Sequence, residues 1–162
     1  MYLKRSPGFT IIELIVTLAI AAIVLGLVVP SFQNLIRSNQ VSTETNALVS
    51  ALQLARSEAV KLSEDVTVSS DGGNFSDGWC VHSGANCDAA NRIRQFEDPN
   101  ASFNAAFAAV SFDRRGELVS GGGGNLQIDV RPQDCAPGKA GAQREITIGL
   151  GGQVRVARND CP

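Results

Sequence analysis

Histidine and charge are scarce in this sequence, and metal-ligand spacings are missing from it. The 162 residues include one histidine, His82, and 19% are charged. The four cysteines contain no Cys-x-x-Cys pair, so we expect neither a zinc ribbon nor a dithiol redox motif. A single histidine in a predicted strand is more often exposed or hydrogen-bonded than catalytic. We therefore expect no enzyme activity, no cofactor and no metal site.

The length fits one domain with its own core and one additional element outside it. There is no internal repeat and no separate linker. The stretch SGGGGN, residues 120–125, lacks the Gly-Lys-Ser/Thr ending of a phosphate-binding loop. We interpret it as a connection between strands.

An apolar run covers residues 9–29, and Glu13 is the only charged side chain in it. A helix of that length can span a hydrocarbon core of about 30 Å. Lys4 and Arg5 precede the run and no basic cluster follows immediately, so the positive-inside rule keeps the short N-terminal head in the cytoplasm. The run is longer than the apolar region of a cleavable signal peptide, and it ends at Pro30 without a small-x-small site. The rest of the chain is therefore predicted to be exported.

Glu13 requires an explanation, because a carboxylate within a bilayer costs about 2.5 to 3.5 kcal/mol on insertion scales. A plain anchor with a snorkelling glutamate is one interpretation. However, the residues GFTIIELIVTLAIAAIVLGLVVP closely resemble the class III prepilin signature of type IV pilins and type II secretion pseudopilins. The resemblance implies that a prepilin peptidase cuts between Gly8 and Phe9 and methylates the new amine of Phe9. It also implies that Glu13 pairs with the N-terminal ammonium of a neighbouring subunit, which offsets the desolvation of both charges.

After Ser31 the apolar residues recur at intervals of three and four, which predicts an amphipathic helix through Lys61. The predicted buried positions are Val41, Leu48, Leu52, Ala55, Ala59 and Leu62. Joined to the apolar run, this segment makes one helix of about 50 residues. Its second half is expected to pack on a sheet.

After Asp65 the apolar period becomes two, which predicts antiparallel strands joined by hairpins. The runs are VTVS, WCVH, RIRQF, VSF, LQIDV, REITIGL and QVRVAR. A three-residue loop, residues 150–152, sets Ile148 opposite Val154, whereas a two-residue Gly-Gly loop would set Ile148 opposite Arg155. The three-residue loop keeps apolar residues together and is favoured. The expected fold class is α+β, a long N-terminal helix on antiparallel sheets.

Four cysteines allow three disulfide connectivities. We favour Cys80 with Cys87 and Cys135 with Cys161, because each pair then closes its own loop. Disulfides persist in oxidising compartments such as the periplasm, which supports export of this part of the chain.

Four stretches of the body, LQLARSEAVKLSEDVTV, DGWCV, FDRRGEL and REITIGLGGQVRV, resemble the GspH/FimT branch of type IV pilin-like proteins. This resemblance implies the type IV pilin fold, a spine helix carrying two sheets, and a non-enzymatic role in priming or capping a filament. It implies a leader peptide at 1–8, a transmembrane and assembly half of the helix at 9–30, and a periplasmic domain at 31–162. The implied partners are major and minor pilins, the prepilin peptidase and the bacterial inner membrane, before final localisation in the pilus at the cell surface.

Three functions remain open from the sequence: a minor pilin, a type II secretion minor pseudopilin, and a minor pilin that binds DNA for natural transformation. The paired C-terminal cysteines resemble minor pilins more than secretion pseudopilins, so the first is favoured.

DNA binding is the least favoured of the three. Some FimT proteins bind DNA through a C-terminal Gly-Arg-x-Arg motif, but residues 152–155 here read Gly-Gln-Val-Arg, without the first arginine. Loss of the leader would leave 12 basic and 16 acidic side chains, a net charge of −4 that opposes attraction to phosphate. The C-terminal region is nevertheless locally positive, and Arg144, Arg155 and Arg158 are the candidate DNA contacts. A solvated hairpin face is the favoured interpretation of these arginines.

Overall fold

The computed structural model describes residues 8–97, 99–119 and 124–162. Residues 1–7 of the predicted leader and most of the glycine run lie outside this description. The chain divides into two units, Met1–Ile36 and Arg37–Pro162.

One helix, α1, extends over Ile11–Leu62, 52 residues, which confirms the long N-terminal helix. In the first unit, every large apolar side chain from Phe9 to Val28 is exposed, by between 38% and 80% of its surface. This part of the helix is long and apolar enough to cross a membrane.

In the second unit, α1 buries one face. Val41, Leu48, Leu52, Ala55 and Ala59 are all buried, as their spacing predicts. Leu62 was expected among them, and that prediction is wrong: it is the last helical residue and is exposed. Burial of a leucine such as Leu52 stabilises the fold by about 1.5 to 3 kcal/mol.

In the part of the chain that the structure describes, eight strands form two antiparallel four-stranded sheets. Sheet A has the order β3-β2-β1-β5 and sheet B the order β4-β6-β7-β8. The strands are β1 (Val66–Ser70), β2 (Gly78–Ser83), β3 (Arg92–Glu97), β4 (Ser102–Ala105), β5 (Ala109–Phe112), β6 (Leu126–Arg131), β7 (Gln143–Ile148) and β8 (Val154–Asn159). Every predicted run overlaps one of them, although REITIGL continues past the end of β7 and QVRVAR begins one residue before β8. Sequence periodicity missed β4, which is followed by an alanine-rich stretch and contains only one buried large side chain, Phe103.

A single core joins the buried face of α1 to the inner faces of both sheets. Trp79 of β2 links the sheets, because its ring centroid lies 5.3 Å from that of Phe96 in sheet A and 5.3 Å from that of Phe103 in sheet B. The predicted register of the last hairpin is confirmed: Ile148 lies opposite Val154 and Ile146 opposite Val156.

Candidate functional site

The residues around the predicted cleavage site precede the first turn of α1. Thr10 caps that turn: its side-chain oxygen accepts a hydrogen bond from the backbone N–H of Glu13 at 3.2 Å, and its carbonyl accepts one from Leu14 at 3.2 Å. Thr10-Ile11-Ile12-Glu13 therefore has the Ser/Thr-x-x-Glu pattern of a capping box. This pattern was readable in the sequence, and it gives Glu13 a local role at the positive end of the helix dipole as well.

Two features of this segment call for partners outside the chain. Every large apolar side chain from Phe9 to Val28 is exposed, so this part of the helix buries none of its faces. None of the ion pairs among the described residues includes Glu13. An exposed apolar helix with an unpaired carboxylate in its first turn is suited first to a membrane and then to packing against similar helices.

The cysteines form two disulfides, Cys80–Cys87 and Cys135–Cys161, the same pairs that the sequence favours. The first closes the connection between β2 and β3. The second joins the loop after β6 to the C-terminus, where backbone hydrogen bonds link Cys161 to Gly138 and Lys139. Each bond closes a loop of the chain and so stabilises the folded domain.

The three candidate DNA contacts on the last hairpin do not form one surface. Arg155 lies opposite Thr147 and Arg158 lies opposite Arg144. Residues three apart along a strand point to opposite faces, so Arg155 and Arg158 are on different sides of β8. Both are exposed, but they cannot contact the same stretch of nucleic acid backbone through one face of the sheet.

Arg144 is buried, which corrects its assignment as a DNA contact. Only 5% of its surface is exposed. Its guanidinium donates to the carbonyls of Gly141 at 2.7 Å and Gln143 at 3.1 Å, and lies 3.4 Å from the hydroxyl of Ser42 on α1. Burial, followed by the nearby charge of Arg158, lowers the pKa of Arg144. The alternation of side chains along β7 predicts on which face of the sheet Arg144 lies, but it does not predict that α1 covers this face.

Arg56 of α1 holds two loops together, a role that sequence reasoning missed. Its Nε donates to the carbonyl of Gly116 at 3.0 Å, and its Nη2 donates to the carbonyl of Gly151 at 3.0 Å. A Cβ on Gly152, whose φ is +73°, would lie 2.0 Å from the oxygen of Gly116. Three stretches that resemble the GspH/FimT branch, LQLARSEAV, FDRRGEL and GLGGQVRV, thus meet at one guanidinium.

His82 is buried on β2, with Nε2 lying 3.1 Å from the hydroxyl of Ser69. Its Nδ1 has no hydrogen-bond partner in the part of the chain that the structure describes. A triad needs a third group that orients the imidazole at this nitrogen. Within residues 8–97, 99–119 and 124–162, no group of three or more His, Cys, Asp or Glu side chains is arranged to hold a metal ion.

Two family models match the chain. One is described as type II transport protein GspH and matches residues 44–152. The other is described as the prokaryotic N-terminal methylation motif and matches residues 3–29. No sequence among the curated proteins matches the chain significantly.

Solved structures share the fold. The type IV minor pilin FimU of Pseudomonas aeruginosa, which is 19% identical, was solved in two crystal forms. One superposes with a TM-score of 0.61 and covers 74% of this chain and 89% of FimU. The other superposes with a TM-score of 0.59 and covers 72% of this chain and 91% of FimU. The minor pseudopilin EpsH from the type 2 secretion system of Vibrio cholerae superposes with a TM-score of 0.51 at 12% identity, covering 74% of this chain and 97% of EpsH. At these identities the similarity establishes the fold alone.

Proposed function

This chain belongs to the GspH family of type IV pilin-like proteins, and from that premise we propose that it is a minor type IV pilin that primes or caps a pilus filament. The family consists of structural subunits of type IV pili and type II secretion systems. Beyond family membership, we assign the chain to a type IV pilus rather than to a secretion system, and to priming or capping that pilus. The protein would reside in the bacterial inner membrane with a periplasmic domain and then enter the pilus.

The observation that carries the proposal is the exposed apolar half of α1 with Glu13 in its first turn. Removal of the leader by the prepilin peptidase would create an ammonium at Phe9. In the low dielectric of packed helices, such an ammonium and the carboxylate of Glu13 from a neighbouring subunit stabilise each other strongly. Other pilins are the partners that supply both this charge and the apolar helix surface.

One observation favours the pilus over the secretion system: the Cys135–Cys161 disulfide secures the C-terminus, a feature that resembles minor pilins. Deletion of the gene should therefore reduce the number of surface pili and leave type II secretion of exoproteins unchanged. Loss of secretion with normal piliation would assign the chain to the secretion system.

Processing and the charge pair are tested together. Intact mass of the protein from cells should show a chain that begins at methylated Phe9. Glu13→Ala should insert into the membrane normally, because removal of a charge favours insertion, but should be at least tenfold depleted in sheared pili. Leu14→Ala, which keeps the carboxylate, is the matched control and should assemble. A chain that starts at Met1 would contradict the proposal, and equal assembly of Glu13→Ala and wild type would contradict the charge pair.

A further inference from the structure

The inner face of sheet B is incomplete at the edge strand β8. Its cross-strand rows run from Ile128 through Ile146 to Val156, and from Val130 through Arg144 to Arg158. Ile128 and Ile146 are fully buried, whereas Val156 at the end of the same row is 47% exposed. The apolar row therefore ends at Val156, which has a neighbour in the row on one side only and is exposed to solvent on the other.

The second row ends in two cations without an anion. Arg144 and Arg158 lie directly opposite each other, an arrangement that is destabilising for like charges. Neither arginine takes part in an ion pair among the described residues. Asp160, the nearby carboxylate of the C-terminal segment, accepts a hydrogen bond from the backbone N–H of Gly141. A buried guanidinium normally has a carboxylate or another anion beside it.

The backbone of β8 is also available for pairing. Among the strands of the described residues, β8 is hydrogen-bonded to β7 on one side and lies at the end of sheet B, and residues 155–158 are exposed. Charged side chains on an edge strand often serve only to prevent such pairing. Arg155 and Arg158 would suffice for that purpose, but preventing strand pairing does not require a third arginine, Arg144, buried directly opposite Arg158.

We propose that β8 is a docking edge for an extended strand of another subunit of the same filament, which places an apolar side chain beside Val156 and a carboxylate beside Arg158. The two side chains of the incoming strand are two residues apart, so that they point to the same face. This is β-augmentation, in which backbone hydrogen bonds supply affinity and alternate side chains supply specificity. The inference rests on the proposed function, which supplies the neighbouring subunit.

The same observations disfavour two other occupants. A second copy of β8 would bring two further arginines to a site that lacks an anion, so its charge is wrong. A nucleic acid would supply phosphates, but it has no peptide backbone to pair with the edge, and a duplex presents its charged backbone rather than an apolar side chain to Val156. Only a peptide strand with an acidic residue satisfies the backbone, the apolar row and the cation row together.

The test uses the full-length protein in piliated cells, with a photoreactive benzoylphenylalanine at Ala157. The matched control places the same group at Ala85, another exposed alanine, in the β2–β3 connection. Irradiation should join position 157, but not position 85, to another pilin-like subunit. Mass spectrometry should map the adduct to an extended segment with an acidic residue. An adduct with β8 of a second copy, or with a segment that contains no carboxylate, would overturn the inference.

Charge variants then test the recognition. Arg158→Glu should reduce the adduct about tenfold, as expected for the loss of a charge pair, whereas Arg155→Glu, the same reversal on the other face, should change it less than twofold. Arg158→Lys should retain most of the adduct, and Arg158→Gln should give an intermediate yield of adduct. Changing the mapped carboxylate to arginine should restore the adduct with Arg158→Glu. Equal sensitivity to both reversals would reduce the effect to general electrostatics and contradict a specific edge.

The sheared pili from the same cells separate the two possible failures. If the mature protein is present in the pili but the probe at Ala157 gives no adduct, the docking edge is wrong and the proposed function stands. If the protein is absent from the pili, the proposed function is wrong and the inference fails with it.

Discussion

Arg56 shows, at the scale of one residue, how the domain is held together. Its guanidinium reaches from α1 to the connection that follows β5 of sheet A and to the hairpin between β7 and β8 of sheet B. Both acceptors are backbone carbonyls, so the interaction depends on loop conformation and not on partner side chains. The close approach explains why Gly152 has no room for a Cβ.

Replacing Arg56 by alanine should therefore lower the free energy of unfolding by about 1 to 2 kcal/mol, since hydrogen bonds from a charged donor are lost and part of the site is exposed. Arg56→Lys should recover only part of this, because an ammonium lacks the fork geometry of a guanidinium. Chemical denaturation of the full-length protein followed by circular dichroism measures the change.

Lys61→Ala is the control: Lys61 is exposed and pairs with Glu58 of the same helix, so its loss should cost a few tenths of a kcal/mol. Equal effects of the two variants would contradict the role of Arg56.

At the scale of elements, the turn after β5 is built around one carboxylate. Asp113 Oδ1 accepts hydrogen bonds at 2.9 Å from the backbone N–H groups of Arg115 and Glu117, and Oδ2 contacts the Arg115 guanidinium at 3.2 Å. The turn presents the carbonyl of Gly116 to Arg56. The hydrogen bond from the Glu117 backbone is the largest of the effects that lower the pKa of Asp113 from its ordinary value of 3.8.

A lowered carboxylate pKa predicts the sign of a pH effect. The contribution of Asp113 to stability is present above pH 3.8, the ordinary value, and is lost as the pH falls through the lower pKa of the folded state. Asp113→Asn should thus flatten the decline in stability as the pH is lowered from about 5 to about 2. Denaturation midpoints across this range, with Asp77→Asn as a control, measure it. An unchanged pH profile in Asp113→Asn would show that the turn does not depend on the charged form.

The two disulfides close connections of different length, 7 and 26 residues of separation. On the loop-entropy model, the Cys135–Cys161 bond contributes about 3.5 kcal/mol and the Cys80–Cys87 bond about 2.4 kcal/mol. Paired Cys→Ser replacements should therefore destabilise the domain more at Cys135 and Cys161 than at Cys80 and Cys87. Denaturation gives the order, and peptide mapping of the wild type gives the pairing. A peptide that joins Cys87 to Cys135 would contradict both the pairing and the order of stability that depends on it.

Elements with a clear period were predictable from sequence, and the coverage of their faces was not. The alternation in β7 and β8 sets Ile146 opposite Val156, because any other register would mix apolar and charged residues. The same alternation cannot reveal that α1 covers Arg144 or that Val156 is left partly exposed, since both depend on packing between distant elements. β4 escaped notice because a four-residue strand with one buried aromatic residue has too few alternations to show a period.

At the scale of the whole molecule, charge is the property that separates filament assembly from nucleic acid binding. Without the leader the chain would carry a net charge of −4. The cations of the last hairpin are divided among two faces and the interior, so they do not create a positive patch that could overcome this charge. The organisation of the molecule therefore favours protein partners.

The corresponding prediction is that the mature full-length protein binds duplex DNA weakly and with little salt dependence. Each neutralised phosphate contributes about −0.9 to the slope of log K against log salt, and only Arg155 or Arg158 can contact DNA from one face of β8, so the slope should be about −0.9. Gln153→Arg is the informative variant: Gln153 is exposed and two residues from Arg155, so an arginine there would share its face and should steepen the slope by about one. Gel-shift titrations at two salt concentrations measure this, beside the double variant Arg155→Ala, Arg158→Ala. Tight wild-type binding that the double variant abolishes would contradict the prediction and assign the hairpin to DNA. It would show that Arg155 and Arg158 bind DNA although they lie on opposite faces of β8.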